Sequence, residues 1–374
     1  MLAIKSRILS SWRILTALLV YEVIRISNFL LFYFYMGLRH RSWLEVFYRW
    51  DSQWYKSIAQ NGYGHTVLSK GRTLTNETFF PLFPFLERAI TRLFGFSYID
   101  SGILISAIFG LVAAAMIYKS VEIISSPKAA LVTVLLWGLL PVGYVQMLAY
   151  SETLFTALCA FALYYSLKKN FLLASLFCIL AGLTRPSGLA VALAISIGVV
   201  MQLRKSSKIQ MQLKNLLALI LSPLGWLGFL IYLALKHHDP LAYFALQKDW
   251  KNGFDCGSAF LQWIWHYFSA GNPLAGIGIV IASSIPFFLF RASIKAKQPI
   301  EFLVFSGFLI FISFTTQGYF GSKPRYLMPA YPLLIPLSTW LVGTSRFKRG
   351  LFIVIFSAVG LTASVIALAG NGPP

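Results

Sequence analysis

Residues 49–64 read RWDSQWYKSIAQNGYG, and after a polar spacer residues 76–84 read NETFFPLFP. Together they form the longest strongly polar interval of a chain that is otherwise mostly apolar, and they follow directly on its first long hydrophobic segment. If that segment crosses a membrane, Asp51 emerges at the bilayer surface on the far side. A carboxylate flanked there by Trp50 and Trp54 is a candidate catalytic base, made more basic by the apolar surroundings.

The composition argues against a soluble globular protein. Of the 374 residues, 57% are hydrophobic and only 12% are charged, whereas soluble domains carry roughly a quarter charged residues. The mean hydropathy is +0.70. One soluble core cannot bury this much apolar surface, so the sequence predicts an all-α polytopic integral membrane protein. The net charge of +20 is then expected to set orientation and to contact anionic membrane lipid, with no nucleic acid as partner.

About eleven apolar segments are predicted to span the membrane, within a single domain that comprises residues 1–374. A basic N-terminal segment favours a cytoplasmic N-terminus, and alternation from there places five basic loops inside. Residues 38–98 then form one large outer loop, with a short surface helix predicted at 54–60 and a second short helix or a re-entrant turn at 84–93. The predicted spans are 14–36, 99–118, 129–147, 152–167, 171–183, 189–203, 216–235, 274–290, 300–316, 327–342 and 351–369. The five basic loops contain Lys119 and Lys128; Lys168 and Lys169; Arg204, Lys205, Lys208 and Lys214; Arg291, Lys295 and Lys297; and Arg346, Lys348 and Arg349.

The predicted outer face carries a small set of ionisable residues in apolar company. Charges at helix ends in such surroundings are costly, so they indicate function. Acids together with cations suit a reaction with a hydroxyl nucleophile and a phosphate leaving group, because the acid takes the proton and the cations stabilise the phosphate. Arginine matches phosphate with a planar fork and is favoured over lysine. The acids are Asp51, Glu77 and Glu152, and the cations are Arg185, Lys323 and Arg325.

Each of these residues also has a purely structural interpretation. Asp51 can be a helix cap or a solvated helix end. Glu152 follows Ser151 and resembles a helix N-terminus that favours an acid. Arg185 and Arg325 can be anchors at the membrane interface. The run of His237, His238 and Asp239 resembles a metal cluster, but a solvated loop is the preferred interpretation.

Four motifs occur in order along the chain, at 49–63 with FFPLFP, at 150–155 (YSETLF), at 183–188 (LTRPSG) and at 324–332 (PRYLMPAYP). Together they resemble the PIG-V-like mannosyltransferases and their prokaryotic relatives, members of the GT-C glycosyltransferase superfamily. The resemblance implies a polyprenyl-phosphate sugar donor, transfer with inversion, Asp51 as the base, and no nucleotide-sugar site, cofactor or required metal. The residues expected to bind substrate are Trp50, Glu77, Pro81, Tyr150, Glu152, Arg185, Lys323, Arg325 and Tyr326.

The sequence therefore predicts a membrane hexosyltransferase, with mannose as the sugar implied by the resemblance. Its acceptor is expected to be a lipid-linked or glycan hydroxyl on the outer or luminal face. The bacterial inner membrane is the expected location, or the endoplasmic reticulum membrane if the source is eukaryotic. A transporter or flippase for an anionic lipid is the alternative, and it would require polar residues near mid-membrane and a repeat relating two halves. Neither stands out in the sequence, apart from Glu22 and Arg25 within the first predicted span.

Overall fold

The computed structural model describes residues 2–69, 71–204 and 209–370. Lys205 and Lys208 of the third predicted basic loop lie outside them. The described chain is almost entirely helical, with one two-stranded hairpin. The helices are α1 (Leu2–Leu38), α2 (Trp43–Phe47), α3 (Asp51–Asn61), α4 (Leu82–Phe94), α5 (Tyr98–Ile124), α6 (Pro127–Gly138), α7 (Glu152–Leu167), α8 (Phe171–Gly182), α9 (Gly188–Leu203), α10 (Ile209–Leu221), α11 (Leu224–His237), α12 (Ala242–Asp249), α13 (Ser258–Ser269), α14 (Pro273–Lys295), α15 (Ile300–Thr315), α16 (Lys323–Leu327), α17 (Leu334–Gly343) and α18 (Arg346–Ala369). The strands are β1 (Thr66–Ser69) and β2 (Arg72–Thr75).

The apolar helices confirm the all-α membrane-protein class. A helix needs about 20 apolar residues to cross a bilayer. Five segments of the described chain meet this requirement by length and composition: Ser11–Leu38, Tyr98–Ile124, Ile209–His237, Pro273–Lys295 and Arg346–Ala369. Six further apolar helices have 10–17 residues. Every predicted span overlaps one of these helices, but the number of eleven crossings stays a prediction because the shorter helices do not reach that length.

Three predicted spans are interrupted, and proline lies at each break. In the span predicted at 327–342, α16 ends at Leu327 and α17 begins only at Leu334, after Pro329 and Pro332. The span predicted at 129–147 is helical only to Gly138; Pro141 follows, and residues Gly143–Met147 form a 3₁₀ turn. The span predicted at 216–235 is interrupted before Pro223, which precedes the first residue of α11, and its helical segment begins at Ile209. Lys214, which was predicted to lie in a loop, is therefore within α10.

The large loop after α1 contains the predicted short helices. The segment predicted at 54–60 is α3, which begins three residues earlier, at Asp51, and ends before Gly62, whose φ of 86° suits glycine. The segment predicted at 84–93 is α4. Between them lies the β1–β2 hairpin, and the Asn76 side chain closes its base by donating to the carbonyl of Gly62 and accepting from the N–H of Gly64, both at 3.0 Å.

The packed helices of the bundle fix the position of the loop between α8 and α9. Helix α7 packs against α5 and α8, and α9 packs against α15. Glycines permit a very close crossing beside the loop between α8 and α9: a Cβ on Gly225 would lie 1.9 Å from the carbonyl oxygen of Ile179, and one on Gly188 would lie 2.6 Å from the Cα of Gly182. The backbone leaves no space for a side chain at these positions, so this loop is held in place.

Candidate active site

The candidate site begins where the chain turns into α3. Trp50 immediately precedes the helix and has φ 53° and ψ −124°, a conformation that side-chain-bearing residues rarely adopt. Such backbone strain is commonly found at functional sites. Asp51 is the first residue of the helix, and its side chain is 26% exposed. Asp51 thus keeps contact with solvent and is not fully enclosed by Trp50 and Trp54.

Asp51 belongs to a network of two acids and two arginines drawn from four separate elements. Nη2 of Arg325, in α16, donates to Oδ2 of Asp51 at 2.7 Å and to Oε1 of Glu152 at 2.5 Å. Nε of Arg325 donates to the same Glu152 oxygen at 2.8 Å. Arg185, in the loop between α8 and α9, places Nη1 2.8 Å from Oε1 of Glu152. The four charges sum to zero, which lets the two arginines and Glu152 be buried together.

Glu152 is the centre of this network. It is the first residue of α7 and has no exposed surface. The interpretation of Glu152 as only a helix cap is therefore wrong, although the helix N-terminus does favour its charge. The interpretation of Arg185 and Arg325 as interface anchors is also wrong, because both are buried and paired with carboxylates.

Aromatic rings and hydroxyl groups surround the charged network. The guanidinium of Arg325 lies over the ring of Tyr150, 4.7 Å from its centre, a favourable cation–π geometry. The hydroxyls of Tyr55 and Ser151 are 2.7 Å apart, and Nη1 of Arg185 donates to Ser151 at 3.0 Å. Burial raises the pKa of Tyr55, so its hydroxyl stays neutral and keeps its proton.

Tyr326 and Pro81 lie around the network rather than within it. Burial raises the pKa of Tyr326, and the nearby charges of Arg185 and Arg325 oppose this effect. Pro81 directly precedes α4, and the N–H of the next residue, Leu82, donates to the carbonyl of Leu183 at 2.9 Å. This bond ties the proline-rich segment to the loop that carries Arg185.

Two predicted site residues have other partners. Glu77 accepts from Nζ of Lys236 and pairs with Nε2 of His237, each at 2.5 Å. Burial alone would raise the pKa of Glu77, but the hydrogen bonds from these two partners lower it below its usual value. Nζ of Lys323 donates to the carbonyls of Ser313 and Thr316 at the end of α15, and burial lowers the pKa of this amine.

The structure also corrects the interpretation of His237 as part of a solvated loop. His237 is the last residue of α11 and is paired with Glu77, 160 positions earlier in the chain. Sequence reasoning missed Tyr55 and Ser151 as members of the central network. Tyr55 lies four residues after Asp51 and therefore on the same side of α3, which was the available signal. Ser151 was not predicted as a site residue because it resembles an ordinary helix cap.

Comparisons with known proteins give one family model and several solved structures. The model for dolichyl-phosphate-mannose-protein mannosyltransferase matches residues 78–235, a segment that contains Glu152 and Arg185 but neither Asp51 nor Arg325. No curated protein matches the chain.

Two solved structures resemble the chain over most of its length. ArnT from Cupriavidus metallidurans bound to undecaprenyl phosphate superposes with a TM-score of 0.54 at 13% identity, covering 83% of this chain and 59% of that one. The apo oligosaccharyltransferase from Archaeoglobus fulgidus gives a TM-score of 0.56 at 11% identity, covering 98% of this chain and 56% of that one. The chain thus spans less than two thirds of either relative, and at such identities the likeness concerns the fold. The chain has the fold seen in these two membrane glycosyltransferases, whereas the GT-C superfamily and the narrower PIG-V-like assignment stay predictions.

Proposed function

We propose that the protein is an inverting hexosyltransferase that moves a sugar, with mannose as the first candidate, from a polyprenyl-phosphate donor to a hydroxyl of a lipid-linked or glycan acceptor. The observation that carries this proposal is the neutral network of Asp51, Glu152, Arg185 and Arg325 at one end of an apolar bundle. It combines a carboxylate that reaches solvent with guanidinium groups suited to phosphate. The fold and the family-model match support the same chemistry.

The reaction assigns Asp51 the role of general base. The acceptor oxygen attacks the anomeric carbon as its proton passes to the Asp51 carboxylate, and the bond from that carbon to the phosphate oxygen breaks on the opposite face. Polyprenyl phosphate leaves with the electron pair, and the anomeric configuration inverts. Arg325 contacts Asp51 directly and orients it. Oε2 of Glu152 is buried and has no hydrogen-bond partner among the described residues, so it is an unsatisfied acceptor at the centre of the network.

Arg185 is better placed than Arg325 to hold the leaving phosphate. Arg325 contacts Asp51, Glu152 contacts Arg325, and Arg185 contacts Glu152, each at 2.5–2.8 Å. Arg185 is thus three contacts away from Asp51, which leaves space for a sugar between the base and the leaving group. Only Nη1 of Arg185 has a hydrogen-bond partner among the described residues. The remaining guanidinium N–H groups can donate to phosphate oxygens in the planar geometry that favours arginine.

The site is proposed to face the outer or luminal side of the membrane, in bacteria the outer side of the inner membrane. Residues 38–98, which carry Asp51, would form the outer loop, and the apolar surfaces of the bundle would accommodate the polyprenyl chain. Trp50, Tyr150 and Tyr326 are proposed to contact the substrates around the charged network. Glu77, Pro81 and Lys323 would act by supporting this loop and its neighbours.

The experiment measures donor binding and sugar transfer by purified protein, with polyprenyl-phosphate mannose and a panel of acceptors. Asp51→Asn keeps the shape and removes the base, so turnover should fall by about two to four powers of ten while donor binding persists. Arg185→Ala should instead weaken donor binding, and Arg185→Lys should restore it only in part. Asp100→Asn is the matched control, because Asp100 is an acid at the start of α5 whose side chain bonds to Ser97 and Tyr48 and to no member of the charged network among the described residues.

Near-normal transfer by Asp51→Asn would remove Asp51 as the base. If no Asp51 variant changes sugar transfer but lipid movement across the bilayer changes, the protein is a transporter and the proposal fails.

A further inference from the structure

A groove of about 400 Å³ lies on the outer side of α3 and extends to the start of the hairpin. Its size is within the range of small-molecule binding sites. Two tryptophans and several polar side chains line it, and none of them belongs to the charged network. The residues that matter here are Trp50, Trp54, Lys56, Gln60, Asn61 and His65.

The aromatic wall of the groove is held rigidly. The ring of Trp54 stacks on Phe79 with centroids 6.0 Å apart and planes 14° apart, and it meets the edge of Trp250 at 5.0 Å. The ring of His65 lies beside the same indole, with ring centroids 6.1 Å apart. A wall fixed by three neighbours loses little side-chain entropy when a ligand binds to it.

The polar lining of the groove is available for binding. Gln60 and Asn61 are exposed at the end of α3, and Lys56 is half-buried one turn before. None of these three side chains has a hydrogen-bond partner within residues 2–69, 71–204 and 209–370. Two amides and one amine thus offer both donors and acceptors next to fixed aromatic rings.

We propose that this groove is the acceptor subsite and that it binds a saccharide ring. A pyranose presents C–H groups on one face, which suit the electron-rich face of an indole, and hydroxyls at its rim, which suit amide side chains that both donate and accept. A polyprenyl tail is a hydrocarbon and cannot form hydrogen bonds with this polar lining. The groove has a single lysine among its neutral lining groups, so it lacks the cluster of cations expected for a polyanion.

The groove lies along α3, the helix that begins with the proposed catalytic base. Trp50 directly precedes Asp51, and Trp54 lies three residues after it, so Asp51 and Trp54 are neighbours on the surface of α3. A ring stacked along this wall would bring a hydroxyl to the edge of the Asp51 carboxylate. The assignment of the groove to the acceptor rests on the proposed function. Saccharide binding itself does not, because it is measured without any donor.

The test is saturation-transfer NMR on the full protein in lipid nanodiscs, with methyl α-mannoside, a free mannose disaccharide and a prenyl-linked disaccharide as probes. We expect the ring C–H protons of at least one probe to receive saturation. The double variant Gln60→Ala/Asn61→Ala should weaken that binding about tenfold, since two hydrogen bonds are lost. Its thermal unfolding should match that of the wild type, because neither side chain has a hydrogen-bond partner in the described part of the chain. Gln210→Ala, at an exposed glutamine of α10, is the matched control.

Signals from the free disaccharide support a glycan acceptor, and signals confined to the prenyl-linked probe support a lipid-linked one. Absence of signal from all three probes, or equal binding by the double variant and the wild type, would overturn the subsite. Saccharide binding that survives while Asp51→Asn transfers sugar normally would refute the catalytic proposal and leave the binding groove standing.

Discussion

Glu152 holds two guanidinium groups together in the buried part of the site. Oε1 alone contacts Nε and Nη2 of Arg325 and Nη1 of Arg185, all within 2.8 Å. Removing one charge of such a set leaves its partners buried and uncompensated, which is costlier than never having formed the pair. The contribution of Glu152 to the stability of the fold therefore depends on both arginines.

Glu152→Gln should destabilise the folded protein by about 3–5 kcal/mol, because one positive charge is then left without a counter-charge. Adding Arg185→Met restores neutrality and should recover at least half of the lost stability. Thermal unfolding in detergent measures both changes. Glu45→Gln is the control, since Glu45 is 64% exposed and its pair with Arg49 is a surface one. Wild-type stability of Glu152→Gln, or no recovery in the double variant, would show that the network does not stabilise the fold.

Sequence reasoning identified the charged members of this site but not their geometry. Asp51, Glu152, Arg185 and Arg325 stand out because charge is rare in an apolar chain. Their pairing depends on how α3, α7, α16 and the loop after α8 converge, and no local pattern encodes that convergence. Glu77 shows the limit clearly: the same rarity argument selected it, yet its partners are Lys236 and His237.

At the scale of elements, Glu77 fastens the segment before α4 to the end of α11. Its partners are about one third exposed, so solvent screens the pair and its contribution is smaller than that of the buried network. Trp250, which follows α12, adds a second connection by donating to the carbonyl of Thr75 at 3.1 Å. These bonds hold the hairpin side of the loop after α1 against α11 and α12.

Glu77→Gln should lower the free energy of unfolding by about 1–2 kcal/mol near neutral pH, after allowance for screening. The pKa of Glu77 is lowered from 4.5 in the folded state, so its contribution is fully present above pH 4.5 and is lost as the pH falls through the folded-state pKa. The stability difference between wild type and variant should therefore shrink when unfolding is measured at progressively lower pH in the acid range. A difference that does not depend on pH would contradict an ionic role for Glu77.

At the scale of the whole molecule, the loop charges predict that the end bearing Asp51 is external. The same prediction puts Leu68, which is 77% exposed in β1, outside, and Lys295, the last residue of α14, inside. The polytopic arrangement is predictable from the sequence, because each long apolar helix can be recognised by its own hydrophobicity alone. The breaks near Pro141 and Pro223 were not placed, since short apolar helices resemble parts of longer ones.

In a background with Cys256→Ser, Leu68→Cys should react with a membrane-impermeant thiol reagent added outside intact cells. Lys295→Cys should react only after the cells are opened. Cys159 and Cys178 are buried and serve as an internal check for unreactive thiols. Labelling of both introduced cysteines from the same side would refute the predicted orientation and the shared outer face.

The bond between Asp51 and Arg325 joins residues 274 positions apart, and this separation has a consequence for biosynthesis. During synthesis, Glu152 and Arg185 enter the bilayer early and can neutralise each other, whereas Arg325 arrives only after α15. Asp51 therefore lacks its guanidinium partner until most of the polypeptide has been made. The nascent protein cannot assemble its charged centre ahead of time, so a translation product that ends before α16 would contain Asp51 without the arginine that contacts it.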